Sequence, residues 1–384
     1  MLTSGINLVN YKKKFKTSYV SKTLKSLLKE KNQSILSLSK FYKNNFDSKL
    51  VKKYKNNLNF KVIGMGGSSL GTQTIYDFLK EKIKKNFIFI DNLESNPKKI
   101  INKKFVNLVV SKSGNTTETI INSNFYIKKN DINIFITENK KNYLHDLAKQ
   151  LKAEIVHHNN YIGGRYSVLS EVGMLPAELM GLDCKKFRQY NSLIKNKKFL
   201  NSLILNVEST LYFVKKKKFN SVIFNYDPKS ESLFKWYQQL VAESLGKNKQ
   251  GILPVVSTMP KDNHSVMQLY LDGLQNNFFT FFYVKDKNSK KINNDKLLSS
   301  HNFLRNKTLS KIIHTQKIAT ENVFIKKNIP FRSFEIYKRD EKALGELFCF
   351  FLLEIILIGR CLKLNPFNQP AVELLKKETK KLLI

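Results

Sequence analysis

Short apolar runs alternate with amphipathic stretches along most of the chain, and that alternation predicts two α/β units. From Phe60 the run FKVIGMGG leads into a helical apolar face through Phe78, then come NFIFI, FVNLVVSKSG, INIFITEN and AEIVHH with helical segments between them. Strand-length runs that are apolar throughout, spaced by helix-length segments, are the pattern of a parallel sheet covered on both faces. A second alternation starts near Phe219 with NSVIFNY, passes through a helix carrying Trp236 and Glu243, and gives GILPVV, a helix after His264, and FFTFFYV. The economical fold class is therefore α/β, with two doubly wound α/β/α domains of mostly parallel sheets over residues 58–182 and 183–340. Residues 1–57 set Leu, Ile, Val and Phe at helical spacing among lysines and predict a helical N-terminal segment capping a domain. Lys285 to Ser300, charged and polar, predicts a mobile loop. Residues 341–384 predict two C-terminal helices broken near Asn365 and Pro366. Leu347 to Gly359 is the most apolar stretch, but it is too short for a bilayer span and contains Glu354, so it reads as a buried helix.

Charge changes this picture less than its size suggests. The 67 Lys+Arg against 30 Asp+Glu give a formal net charge of +37, which ordinarily raises nucleic-acid binding first. The lysines are spread over the whole chain among abundant Asn, Ile and Phe, a pattern of AT-rich coding and solvated lysine faces rather than of a binding tail. No specific nucleic-acid partner is expected, while anionic substrates should be drawn in faster at low salt. Cys184, Cys349 and Cys361 are odd in number and far apart, so neither a disulfide framework nor a zinc site is indicated. The first residues lack the pattern of a secretory leader, and a cytoplasmic location is expected with no membrane role.

The candidate chemistry lies in five glycine-punctuated patches. GMGGSSLG at Gly64–Gly71 and SKSGNTTET at Ser111–Thr119 each follow an apolar strand and open a helix, offering small hydroxyls and free N–H groups of the kind that hold a phosphate. Either loop alone reads equally well as a tight turn with serine caps. Two such loops on adjacent parallel strands would converge at the carboxyl edge of the sheet, where α/β ligands bind. GGRYSVLS puts Arg165 after two glycines, where a guanidinium can face an oxyanion or else form a surface ion pair. AESLGK holds Glu243 on a helix just before GILPVV; the plain alternative is a solvated glutamate. His264 has the default of a helix-start residue, and Lys376 stands among Lys377, Lys380 and Lys381, so spacing alone does not choose it. A phosphate cradle beside an acid/base set suggests an enzyme acting on a sugar phosphate. The chain has no metal-ligand cluster and no dinucleotide fingerprint, so no metal or other cofactor is expected.

These patches resemble the motifs of the glucose-6-phosphate isomerase family, within the sugar-isomerase-domain superfamily, from roughly Phe60 to the C-terminus. SKSGNTTET alone would mark only a sugar-isomerase phosphate loop. GGRYSVLSEVG matches one family signature except that Glu171 stands for a usually small residue, and GRCLKLNPFNQPAVELLK fits the C-terminal signature throughout. The resemblance implies that Gly67, Ser68, Ser111, Lys112, Ser113 and Thr116 hold the 6-phosphate. It implies Glu243 as the base moving a proton between C2 and C1, and Arg165 as the group stabilising a cis-enediolate. His264 and Lys376 would assist ring opening, and Gln239 and Gln369 would line the site. It further implies a homodimer in which the histidine comes from the partner subunit. The expected activity is interconversion of glucose 6-phosphate and fructose 6-phosphate; a non-catalytic sugar-phosphate-binding regulator, or a preference extending to mannose 6-phosphate, are the alternatives.

Overall fold

The fold is that of a computed structural model, and it describes residues 1–12, 18–97, 104–128 and 130–384. The lysine-rich residues 13–17 of the N-terminal stretch lie outside the described residues. Two five-stranded sheets form. The first contains β2 (Asn59–Gly64), β3 (Asn86–Ile90), β4 (Val106–Val110), β5 (Ile132–Glu138) and β6 (Glu154–His158), ordered β3-β2-β4-β5-β6 and parallel throughout. The second contains β1 (Ile6–Val9), β7 (Asn220–Asn225), β8 (Leu253–Thr258), β9 (Asn277–Val284) and β10 (Phe331–Ile336), ordered β1-β10-β9-β7-β8. Its pairs are parallel except that β1 runs against β10. All five residues of β4 and all eight of β9 are buried, which is why these runs show no polar alternation.

The N-terminal stretch departs from the expected run of helices. Ile6–Val9 is a strand whose Ile6 and Leu8 face the core, in register with Ile336 and Phe334 of β10. A four-residue run gives a helix-period reading no contrast to work against, and its partner lies at the other end of the chain. The C-terminal reading holds: helices span Glu341–Cys361 and Pro370–Leu382 with the break between them. Lys285–Ser300 forms a loop with a short 3₁₀ turn at Asn294–Lys296, and a second turn follows at Ser299–Leu304.

The helix Glu341–Cys361 is buried along nearly its whole length and packs against the helices Ser18–Leu27, Lys197–Lys215 and Glu231–Leu245. Its Glu354 is tolerated there because Arg332 of β10 pairs with both carboxylate oxygens. Arg332 also donates to Thr280 Oγ1 at 3.0 Å. The helix Glu231–Leu245 bridges the two halves, meeting the helix Leu70–Phe78 of the first unit and β8 of the second. Among the described residues no helix is long and apolar enough to cross a membrane.

Candidate functional site

In the first sheet the chain leaves β2 toward β3 on one side while β4 pairs on the other, so the crevice between the β2 and β4 ends is the point where strand order reverses. The two hydroxyl-rich loops emerge there. After β2 the chain makes a 3₁₀ turn, Gly66–Ser68, with Gly66 at φ +52°, and enters the helix Leu70–Phe78. Neither serine caps that helix: Ser69 Oγ donates back to Gly66 O, and Ser68 Oγ makes no hydrogen bond among the described residues. After β4, Ser111 is buried and its hydroxyl lies 2.9 Å from Thr116 Oγ1. Thr116 stands at the N-cap of Thr117–Tyr126 without capping it, leaving the first-turn N–H groups without a side-chain partner. Lys112 is half-buried, and burial pushes its ammonium below the usual lysine range, with Glu138 opposing that shift. An arriving phosphate would favour its charged form. Ser113 is exposed.

Gly67 joins this crevice to the reacting groups. A Cβ placed on it would sit 2.2 Å from the Gly164 carbonyl carbon and 2.6 Å from Arg165 N, so only glycine lets the two backbones meet. The 3₁₀ segment Gly164–Leu169 thus holds Arg165 against the first loop, and Trp236 Nε1 donates to Arg165 O at 3.1 Å. The Arg165 side chain is 1% exposed. Its guanidinium donates from Nε to Ser244 Oγ (2.9 Å) and from Nη1 to Glu243 Oε2 (2.8 Å) and Gln369 Oε1 (2.9 Å). From Nη2 it donates to the carbonyls of Pro366 and Asn368. The surface-pair alternative for Arg165 is therefore ruled out.

Glu243 lies near the C-terminal end of the helix Glu231–Leu245, one turn beyond Gln239, which donates from Nε2 to Glu243 Oε1 at 2.8 Å. Gln239 Oε1 is buried without a hydrogen-bond partner among the described residues. Glu243 lines a cavity of about 680 Å³ together with Asn368 and Gln369. Neither loop lines that cavity; the first reaches its edge through Gly66 against Gln239 and Gly67 against Arg165.

Arg165, Glu243, Gln239 and Gln369 therefore come together, with Gly67 and Ser68 beside them and Ser111, Lys112, Ser113 and Thr116 on the neighbouring strand end. His264 and Lys376 do not join them within one chain. His264 is exposed at the end of the 3₁₀ turn Lys261–His264 after β8. Lys376 lies on the fully exposed helix Pro370–Leu382 and pairs with Glu373 at 2.7 Å. Three groups escaped the sequence reading although they sit inside the motifs. Ser244 receives Arg165, Tyr166 OH bonds Ser244 Oγ and Pro366 O at 2.8 Å each, and Lys247 lines the cavity. Adjacency to Glu243 and Arg165 was the available signal.

Glu171, the departure behind Arg165, has a structural explanation. It opens the helix Glu171–Leu179 fully buried, meeting His158 Nδ1 at 3.0 Å, the Asn159 N–H at 2.6 Å and the Tyr42 hydroxyl at 3.1 Å. Burial alone would push its carboxyl up, but the hydrogen bond and charge of His158 and the Asn159 N–H outweigh burial, and the net shift is downward. A lowered carboxyl contributes stability above its unfolded-state value that is lost as pH falls through its folded value. Glu171→Ala should cost about 3 kcal/mol in denaturant unfolding at neutral pH, because it leaves His158 and Tyr42 facing a void. A midpoint unchanged from wild type would show that the three-way contact contributes nothing.

Residues 30–383 match the family model described as Phosphoglucose isomerase. A glucose-6-phosphate isomerase from Methanocaldococcus jannaschii is 34% identical over 343 residues, covering 82% of each chain. One from Mycoplasmopsis pulmonis is 34% identical over 84% of this chain and 82% of its own. Among solved structures, a hypothetical protein from Thermus thermophilus superposes with TM-score 0.84 at 23% identity over 95% of both chains. A glucose-6-phosphate isomerase from Chlamydia trachomatis gives TM-score 0.70 at 15% identity, covering 97% of this chain and 80% of that one. Those two structural likenesses concern the fold alone.

Proposed function

The chain belongs to the phosphoglucose isomerase family, and from that premise we propose how its residues carry out the reaction. It is an aldose-ketose isomerase that interconverts D-glucose 6-phosphate and D-fructose 6-phosphate. The observation that carries the assignment of roles is the Glu243 carboxylate, held by Arg165 on one oxygen and Gln239 on the other beside an open cavity. Moving a proton between C2 and C1 needs one positioned base and a donor where enediolate charge develops. Glu243 takes the proton from C2 of the aldose, or from C1 of the ketose, and returns it to the other carbon on the same face. As Glu243 is protonated its hold on Arg165 Nη1 falls, just as that of the enediolate oxygen rises. The negative charge moves across a guanidinium already in place, with no reorganisation of the site. Gln239 Oε1 and Gln369 align the sugar hydroxyls.

The 6-phosphate sits in the crevice between the β2 and β4 ends. Gly67 and Ser68 supply a main-chain N–H and a hydroxyl, Ser111, Ser113 and Thr116 further donors, and Lys112 the charge. The free Ser68 hydroxyl and the uncapped helix Thr117–Tyr126 support this placement. Ser111→Ala should raise the Michaelis constant for fructose 6-phosphate about 5- to 150-fold, the equivalent of about 1–3 kcal/mol for a direct phosphate bond, with turnover little changed. An unchanged Michaelis constant would take Ser111 off the phosphate.

His264 and Lys376 are assigned to ring opening. His264 is contributed by the partner subunit of a homodimer, in keeping with its separation from Glu243 in one chain and with the exposed Leu269 and Leu274 nearby. Lys376 is exposed and paired with Glu373, so its part in ring opening requires that pair to be released. The working divisions are 1–57, 58–182, 183–340 and 341–384, and the location is cytoplasmic, consistent with three free thiols. The test is conversion of fructose 6-phosphate by the purified protein in the presence of a chelator, with its mass measured by light scattering. Turnover by a dimer is the expected result; sugar-phosphate binding without turnover would favour a regulatory protein.

A further inference from the structure

We infer that Lys247 is a positioning residue for this isomerase, clamping the C-terminal loop that carries Gln369 onto the end of the helix that carries Glu243. The inference rests on the assignment of Glu243 and Arg165 to the reaction. Lys247 Nζ donates to Ser244 O at 3.0 Å, on the Glu243 helix, and to Asn365 O at 2.5 Å, in the loop ahead of Gln369. Arg165 grips the same loop at Pro366 O, Asn368 O and Gln369 Oε1. The loop from Asn365 to Gln369 is therefore held by two cations, Lys247 at Asn365 and Arg165 at Pro366, Asn368 and Gln369.

The lysine itself is fixed by a turn built for the purpose. Lys247 N donates to Gln250 O at 3.0 Å and Gln250 N returns to Lys247 O at 2.8 Å, with Asn248 and Lys249 both at positive φ, +52° and +58°. That is the backbone of a tight two-residue hairpin, which fixes where the side chain starts. Gly246, just before it, admits no side chain, since a Cβ would lie 2.6 Å from Ala242 O. Lys247 also lines the cavity with Glu243, Asn368 and Gln369. Its position makes it a second positive charge beside the site without being one of the groups assigned to the sugar.

The surroundings give the clamp a pH signature. Burial, with Arg165 as the nearby cation, holds the Lys247 ammonium down to about 8, and Glu243 opposes this. The charged groups around it are Glu243 on the preceding helix and Arg165 on the 3₁₀ segment, with Lys249 of the hairpin lining the same cavity; the stretch 364–372 carries no charged residue. Below about pH 8 the ammonium holds both carbonyls with full charge; above it the charge goes and the grip on Asn365 O weakens. A lysine with a lowered folded-state value makes folding more favourable as pH rises, so loss of activity through this group is not accompanied by unfolding.

The test compares wild type, Lys247→Arg and Lys247→Met for kcat/KM on fructose 6-phosphate from pH 6.5 to 10, with thermal midpoints taken alongside. For Lys247→Met the expected result is a fall of about 10- to 100-fold at pH 7, because the charge-assisted hydrogen bond that ties Asn365 O to the Glu243 helix is lost. Wild type should decline in kcat/KM near pH 8, and that decline should be absent from this variant. Lys247→Arg, which stays charged, should keep part of the activity and shift the decline upward. Equal kcat/KM and the same alkaline limb in all three proteins would overturn the inference. A fall with an unshifted limb and a lowered midpoint would also overturn it, by marking Lys247 as structural only. An inactive wild type would instead count against the roles given to Glu243 and Arg165.

Discussion

Glu243→Gln should lower kcat by about 100- to 10,000-fold, the contribution typical of a positioned acid/base group, while the protein stays folded and still binds sugar phosphate. The fold should survive for a reason visible in the site. Glutamine keeps the length and volume of the side chain. Its remaining oxygen can accept from Arg165 Nη1 as Glu243 Oε2 does, and its new NH₂ would face Gln239. Gln239 can answer by turning its amide over, since its Oε1 is now buried without a partner. The stability change should therefore stay within about 1 kcal/mol, the net worth of one exchanged hydrogen bond. Turnover is read in a coupled assay and binding by calorimetry with 6-phosphogluconate. Near-normal turnover in the variant would remove Glu243 from proton transfer, and lost binding would mean that the carboxylate also shapes the ground state.

Arg165→Lys should be nearly as damaging, and in two observables at once. The guanidinium serves five acceptors: Ser244 Oγ, Glu243 Oε2, Gln369 Oε1 and the carbonyls of Pro366 and Asn368. An ammonium has three donors on a point charge, so at least two acceptors lose their partner. Tyr166 OH still serves Ser244 Oγ and Pro366 O, so the loss is that of the hydrogen bonds themselves, about 0.5–1.5 kcal/mol each and more at the Glu243 carboxylate, which should show as a lower denaturation midpoint. Loss of the preorganised donor at the enediolate should take about 100- to 1,000-fold from kcat. If the lysine variant kept kcat within fivefold, charge alone would suffice and the fork would be dispensable.

Much of this site is legible in the amino-acid sequence, and the legible part is local. A glycine-rich turn at the end of an apolar run states that a strand stops and a helix starts there, because both elements are made by neighbours in sequence. The two loops, Arg165 after its glycine pair and Glu243 four residues beyond Gln239 are found in that way, as is the break between the last two helices. The same reading errs where an element's partner is remote. Ile6–Val9 becomes a strand only because β10 offers an unpaired edge, and no periodicity in four residues announces that.

By itself the sequence determined the order of strands and helices, the buried character of the central strands and the kinds of side chain available for chemistry, since these follow from short-range backbone preference and hydrophobic period. Tertiary structure decided which of those side chains meet. Arg165 became a buried fork rather than a surface pair because residues 366–369 return to it from the far end of the chain. Glu354 and Glu171 became tolerable in the core because Arg332 and His158 arrive from other elements. Lys247 acquired a task, while His264 and Lys376 were left apart from Glu243 within one chain. Burial and charge pairing depend on distances between segments remote in sequence, and a linear pattern does not carry those distances.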